Sequence, residues 1–222
     1  MGQGIDICMG DPKQATTMEE SVESEFVRTL VAQAGLVIAR SKPAAIFGFT
    51  PRAWKTGDSR LKRSLSARVM SLYAKVTRPY GVNLSWVAPK GNAVMLLAWR
   101  PDMVERVLDN EQNLRLLNEC GLPTNNARSL VSALVARLRS SYVGGADFPH
   151  EIGLVLGYPV EDVRGFMADG GRGAKVVGCW RCYGDVQKAQ ARFEELGITQ
   201  ARLKRLYSEG VSVRELLQMG VA

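Results

Sequence analysis

Apolar residues recur four apart at Val22, Phe26, Leu30 and Ala34, behind a cluster of acids at Glu19, Glu20, Glu23 and Glu25. That spacing lines up one apolar stripe, and the acids suit the positive end of a helix dipole, so a helix is predicted from about Glu19. Pro43 resets the chain, and the short run Ala44 to Phe49, closed by Pro51, has the length and composition of a buried strand. Leu61, Leu65, Val69, Leu72 and Val76 return to helical spacing. Val82, Leu84 and Trp86 then alternate with Asn83 and Ser85, and after Pro89-Lys90-Gly91-Asn92 the run Ala93 to Trp99 is wholly apolar. This is the pattern of a hairpin whose second strand is central.

Further along, Pro101 opens a helical region that Gly121 and Pro123 close, and Thr124, Asn125 and Asn126 offer caps for a helix along Leu130, Leu134 and Leu138. Two short helices are expected around Gly157-Tyr158-Pro159, with Pro149 opening the first and leaving His150 in its first turn. A glycine-rich loop at Gly170 to Gly173, a strand from Lys175 to Tyr183, a helix from Gln187 to Leu196 and two short tail helices around Glu209-Gly210 complete the pattern. The order predicts an α+β fold on the ferredoxin-like, split β-α-β plan: an antiparallel sheet of about four strands whose fourth pairs beside the first. Residues 1–18 are expected to be a flexible lead and 19–222 a single domain. A helical insertion at 122–173 is placed at one edge of the sheet.

Composition narrows the class. With 222 residues, 46% of them hydrophobic, the chain is long enough to bury a core without disulfides or metal. No apolar run approaches the ~18 residues of a membrane span. Met1 to Gln14 lacks a signal pattern, so a cytoplasmic protein is expected. The net charge of +7 is uneven: Arg52, Lys55, Arg60, Lys62, Arg63, Arg68, Lys75 and Arg78 face one acid, Asp58, within 52–78, and the remainder is neutral. On a helix, Arg60, Arg63, Arg68, Lys75 and Arg78 form a basic outer face that could track phosphates or simply be solvated.

Candidate chemistry is sparse and concentrated in 148–185. The only histidine, His150, stands beside Glu151, and could be a base or a metal ligand, or merely cap or pack. Ile152 to Phe166 has helix-turn-helix spacing, but Glu161 and Asp162 on its second helix oppose approach to a polyanion. Cys179 and Cys182 spell C-x-x-C; on one strand, residues three apart point to opposite faces, so neither a shared bond nor a metal site is expected. Cys179 with His150 as its base remains a conceivable nucleophile.

Within that segment Phe148-Pro149-His150-Glu151-Ile152-Gly153, Leu156-Gly157-Tyr158-Pro159, Glu161-Asp162-Val163, Gly165-Phe166, Gly178-Cys179-Trp180 and Tyr183-Gly184-Asp185 resemble the signature of an uncharacterised bacterial family, a domain of unknown function from anaerobic gut bacteria. The resemblance covers the chain from about residue 25 onward. It implies a bacterial cytosolic protein and brings no established activity; Cys182 is not part of the signature. Three functions stay open. The preferred one is a small anionic ligand or cofactor, of unknown identity, held between the helical insertion and the sheet by His150, Tyr158, Trp180 and Tyr183. The others are nucleic-acid association through the basic helix, and an enzyme using His150 with Glu151 or Cys179.

Overall fold

The computed structural model describes residues 12–51 and 59–220, with side chains described for 20–51 and 66–220. In chain order it contains α1 (Pro12–Ile38), β1 (Ala44–Phe49), α2 (Ser59–Thr77), a 3-10 turn (Arg78–Tyr80), β2 (Asn83–Lys90), β3 (Ala93–Trp99), α3 (Pro101–Leu108), α4 (Glu111–Glu119) and α5 (Ala127–Gly144). Then follow α6 (Ile152–Val155), α7 (Val160–Asp169), β4 (Val176–Val177), β5 (Arg181–Cys182), α8 (Val186–Ser208) and α9 (Val213–Met219). The fold is α+β, a three-stranded antiparallel sheet and a separate two-stranded one among many helices.

Strand alternation sorts the core into two layers. Ala45, Phe47, Phe49, Leu84, Val94, Leu96 and Ala98 meet α1, α2 and α9 on one face. On the other, Ala44, Ile46, Val87, Ala88, Leu97 and Trp99 meet α3, α5 and α6. Helix α1 buries one continuous face: Val22, Phe26, Leu30, Ala34, Val37 and Ile38 are fully buried, and Phe26 meets the edge of Phe49 at 5.0 Å. Its carboxyl end is closed by Arg100, which is fully buried and donates from Nε to Val37 O (2.6 Å), and from its two terminal nitrogens to Ile38 O (2.8 Å) and Tyr80 O (2.9 Å). The negative end of the α1 dipole thus takes the place of a carboxylate partner. Burial pulls the Arg100 pKa down to about 10, which leaves it protonated at neutral pH.

The sheet order is β1-β3-β2, so β1 and β2 run parallel with β3 between them, as a split β-α-β requires. The expected fourth strand does not join. Residues 175–183 instead fold on themselves as the β4–β5 hairpin, because the turn at Gly178 to Trp180 reverses the chain after two residues and α7 takes the amides of Tyr183 and Gly184. The main sheet therefore has three strands, not the four expected of a ferredoxin-like plan. The segment expected at a sheet edge covers a sheet face instead: Leu130, Leu134 and Leu138 of α5 bury against the layer that holds Val87 and Leu97.

Other boundaries shift with tertiary packing. Helix α1 starts at Pro12, inside the expected lead, and residues 1–11 lie outside the described residues. The helix beginning near Gln187 does not end at Leu196 but runs to Ser208, since Leu196 and Leu203 are both buried and Gln200 donates to Val31 O at 3.0 Å. Among the described side chains of α2 the buried ones are Ser66, Val69, Tyr73 and Thr77, while Leu72 faces outward.

The two edges of the sheet differ. Strand β2 carries a bulge between Trp86 and Ala88, then Pro89 and Lys90, and Arg139 Nε donates to Val87 O at 3.0 Å. Each device obstructs a further strand. Strand β1 holds an unbroken register of six pairs and has no charge or proline. Because Arg100 N donates to Pro43 O, the hydrogen-bonded pairs are those of Ala45, Phe47 and Phe49, and Ala44, Ile46 and Gly48 turn their backbone groups outward.

Candidate functional site

The region 148–185 is organised by one buried acid. Pro159 starts α7, and Asp162 falls in its first turn, where the dipole favours an anion. Only 3% exposed, its carboxylate accepts from Trp180 Nε1 (2.6 Å), Tyr183 N (2.7 Å) and Gly184 N (2.8 Å). These bonds satisfy the charge and tie the β4–β5 hairpin to α7. Two glycines permit the close approach: a β-carbon at Gly165 would strike the Tyr183 ring, and one at Gly178 would strike the Phe193 ring. The Tyr183 hydroxyl donates to Asp169, whose carboxylate also accepts from Gly171 N and Gly173 N. The glycine-rich loop therefore wraps a carboxylate of its own chain. That set of donors, the Tyr183 hydroxyl foremost, lowers the Asp169 pKa.

Trp180, fixed by Asp162, stacks on Tyr158 (5.2 Å, 26° between planes) and meets the edge of Phe193 at 4.5 Å. Lys42 Nζ also lies over the Tyr158 ring, 4.9 Å from its centre. Burial lowers the Lys42 pKa and nearby Arg192 adds to this, while Cys179 opposes it; burial raises the Tyr158 pKa.

Between α6, α7 and the hairpin lies a hollow of about 230 Å³. Its floor is Ile152, Val163 and Trp180, and Phe148, Phe166 and His150 form one side. The His150 ring meets Phe166 at 4.8 Å and Phe148 at 5.3 Å. Arg181 lies at the rim, its guanidinium donating to Gly171 O at 3.3 Å. A larger groove of about 910 Å³ runs beside α2, between Ser66, Met70 and Ala74 and the sheet residues Leu84, Trp86 and Val94. No ionisable side chain is among its described walls.

The structure brings together His150, Tyr158 and Trp180, thirty positions apart at the extremes. The hollow belongs to the helical segment and its hairpin, not to a cleft between that segment and the main sheet. His150 stands in the turn before α6 rather than in a helix opened at Pro149, since α6 begins at Ile152. Tyr183 does not line the hollow; its ring covers Gly165 and its hydroxyl reaches Asp169. Glu151 turns the other way, only 5% exposed and bonded to Arg137 at 2.6 Å, with Arg137 also donating to Cys120 O at 2.7 Å. His150 and Glu151 thus do not form a base and its orienting acid. Cys179 is exposed in the hairpin turn and does not line the hollow, while Cys182 is buried on β5 with its pKa raised by burial; both are free thiols. Among the described residues no group of three His, Cys, Asp or Glu side chains could hold a metal.

Of the basic face, Arg68, Lys75 and Arg78 are exposed, Arg78 in the 3-10 turn after α2; the side chains of Arg60 and Arg63 lie outside the described residues. Arg164, the one cation of α7, is paired bidentately with Glu119 at 2.8 and 2.9 Å. No described helix is long and apolar enough to cross a membrane. Residues missed from sequence are Arg181 at the rim, Lys42 above Tyr158 and Arg137 behind Glu151. Arg181, inside Cys179-Trp180-Arg181-Cys182, carried a signal, as a cation next to a pocket-forming tryptophan.

Comparison with curated proteins and with solved structures finds no match. A family model described as a protein of unknown function, DUF3793, matches residues 30–217 and so takes in the sheet, the Asp162 latch and the hollow alike. The chain belongs to the DUF3793 family.

Proposed function

We propose that this protein binds a small anionic ligand or cofactor in the hollow between α6, α7 and the β4–β5 hairpin. The observation that carries the reading is the convergence of His150, Tyr158 and Trp180, from three separate connecting segments, on a concave surface with an apolar floor and a cation at its rim. Such a combination of aromatic walls and few polar groups suits binding and orientation. The free thiols fit a reducing bacterial cytoplasm. A thermal-shift screen over metabolites and cofactors tests it. At least one compound is expected to raise the melting temperature, and His150→Ala to abolish that rise; a flat response across the panel overturns the reading.

A second reading is supported by the exposed Arg68, Lys75 and Arg78. As a nucleic-acid surface, α2 would give retention on oligonucleotides that falls steeply with salt and is lost in Arg68→Glu/Lys75→Glu. Retention that ignores salt, or none, overturns it.

A further inference from the structure

The chemistry of the hollow narrows its ligand class further, an inference that rests on the binding reading above. Asp162 is one of the residues lining the hollow and Glu151 stands close by, and neither is available. Asp162 is committed to Trp180 Nε1 and two backbone amides, and Glu151 faces away, bonded to Arg137. The polar side chains left to meet a ligand are the His150 imidazole, the Tyr158 hydroxyl and the Arg181 guanidinium. Arg181 makes one long bond, 3.3 Å to Gly171 O, from one of its three nitrogens, and its side chain is exposed. A guanidinium in that state can still present a planar fork to a carboxylate. A doubly charged phosphate would ask for more donors than one guanidinium, one imidazole and one phenol above a floor of Ile152, Val163 and Trp180.

Size and wall chemistry supply the rest. About 230 Å³ is less than the roughly 300–1,000 Å³ of pockets for drug-sized ligands, so there is space for a single ring. Phe148, His150 and Phe166 already pair as tilted or edge-on rings along one side, and a further ring extends that arrangement. We infer that the hollow receives a monocyclic aromatic carboxylate, its ring among Phe148, Phe166 and Trp180 and its carboxylate on Arg181.

Calorimetric titration of the full chain with benzoate tests this, with benzamide as the ring without the charge and acetate as the charge without the ring. Benzoate is expected to bind at least tenfold more tightly than either. Arg181→Gln should weaken benzoate at least tenfold, and Arg181→Lys less, since it keeps the charge and loses the fork. Arg181 is exposed, so both variants should melt like the parent. If benzamide equals benzoate, or Arg181→Gln changes nothing, the acid assignment falls and ring binding in the hollow stands. Absence of benzoate binding alongside a melting shift with another compound overturns only this assignment; absence of both removes the binding reading too.

Discussion

Arg100 and Asp162 are both buried and ionisable, and among the described residues both are satisfied largely by backbone rather than by an opposite charge. Arg100 takes three carbonyls, two at the carboxyl end of α1 and one from the turn before β2; Asp162 takes two amides of the hairpin and the Trp180 indole. The first sits at the sheet's end and joins α1 to the strands. The second sits in a peripheral unit and fixes the residue that floors the hollow. Backbone dipoles can neutralise a buried charge of either sign, but only at Asp162 does that service also shape a concave surface. Loss of Arg100 should therefore appear as lost stability, and loss of Asp162 as lost stability together with a lost site.

Arg100→Met sharpens the contrast most. It leaves Val37 O, Ile38 O and Tyr80 O without their donor, and the expected loss is about 3–5 kcal/mol in urea unfolding. Asp162→Ala is expected to cost less, about 2–3 kcal/mol, because water can reach the hairpin amides, and to release Trp180, seen as a red shift of its emission. The comparison breaks if Asp162→Ala leaves that emission unchanged, or costs more than Arg100→Met. Glu151→Gln keeps a hydrogen bond to Arg137, whose side chain is 39% exposed; after allowance for solvent screening the expected loss is about 1 kcal/mol, with ligand-dependent melting shifts preserved.

The smallest effects separate the two regions by pH. Burial, reinforced by the bond to Glu23, raises the Tyr73 phenol above its usual value. The folded state then holds a proton that the unfolded chain releases above about pH 10, so stability falls as pH rises beyond that point. Asp169 is shifted downward, so its contribution is present above the ordinary carboxylate pKa and is lost as pH falls through the lowered one. Tyr73→Phe should flatten the alkaline limb of a stability profile and Tyr183→Phe the acid limb; the opposite assignment would show that the two regions do not titrate independently.

Legibility followed the reach of the interactions. The strand Ala44–Phe49, the Asn126 cap of α5 and the turn at Gly91-Asn92 depend on near neighbours, and their residue types announce them. The segment 175–183 has strand-like residues, yet its shape is set by Asp162 and Phe193, which pattern along the chain does not connect to it. Helix α8 likewise passes Gly197 because α1 supports it on both sides of that position. In the site, the rings of His150, Tyr158 and Trp180 were visible as residue types, whereas the direction of Glu151 and the place of Tyr183 depend on partners, Arg137 and Asp169, that no motif names. Arg100 had one faint sign, a lone cation between an apolar strand and Pro101.

The parity of β1 has a consequence for isotope labelling. Ala45, Phe47 and Phe49 share their amide hydrogens with β3, whereas Ile46 and Gly48 point theirs away from it. In heavy water the strand would take up deuterium at alternate residues, and any molecule laid along that side would announce itself by silencing the fast ones while leaving the slow ones as they were.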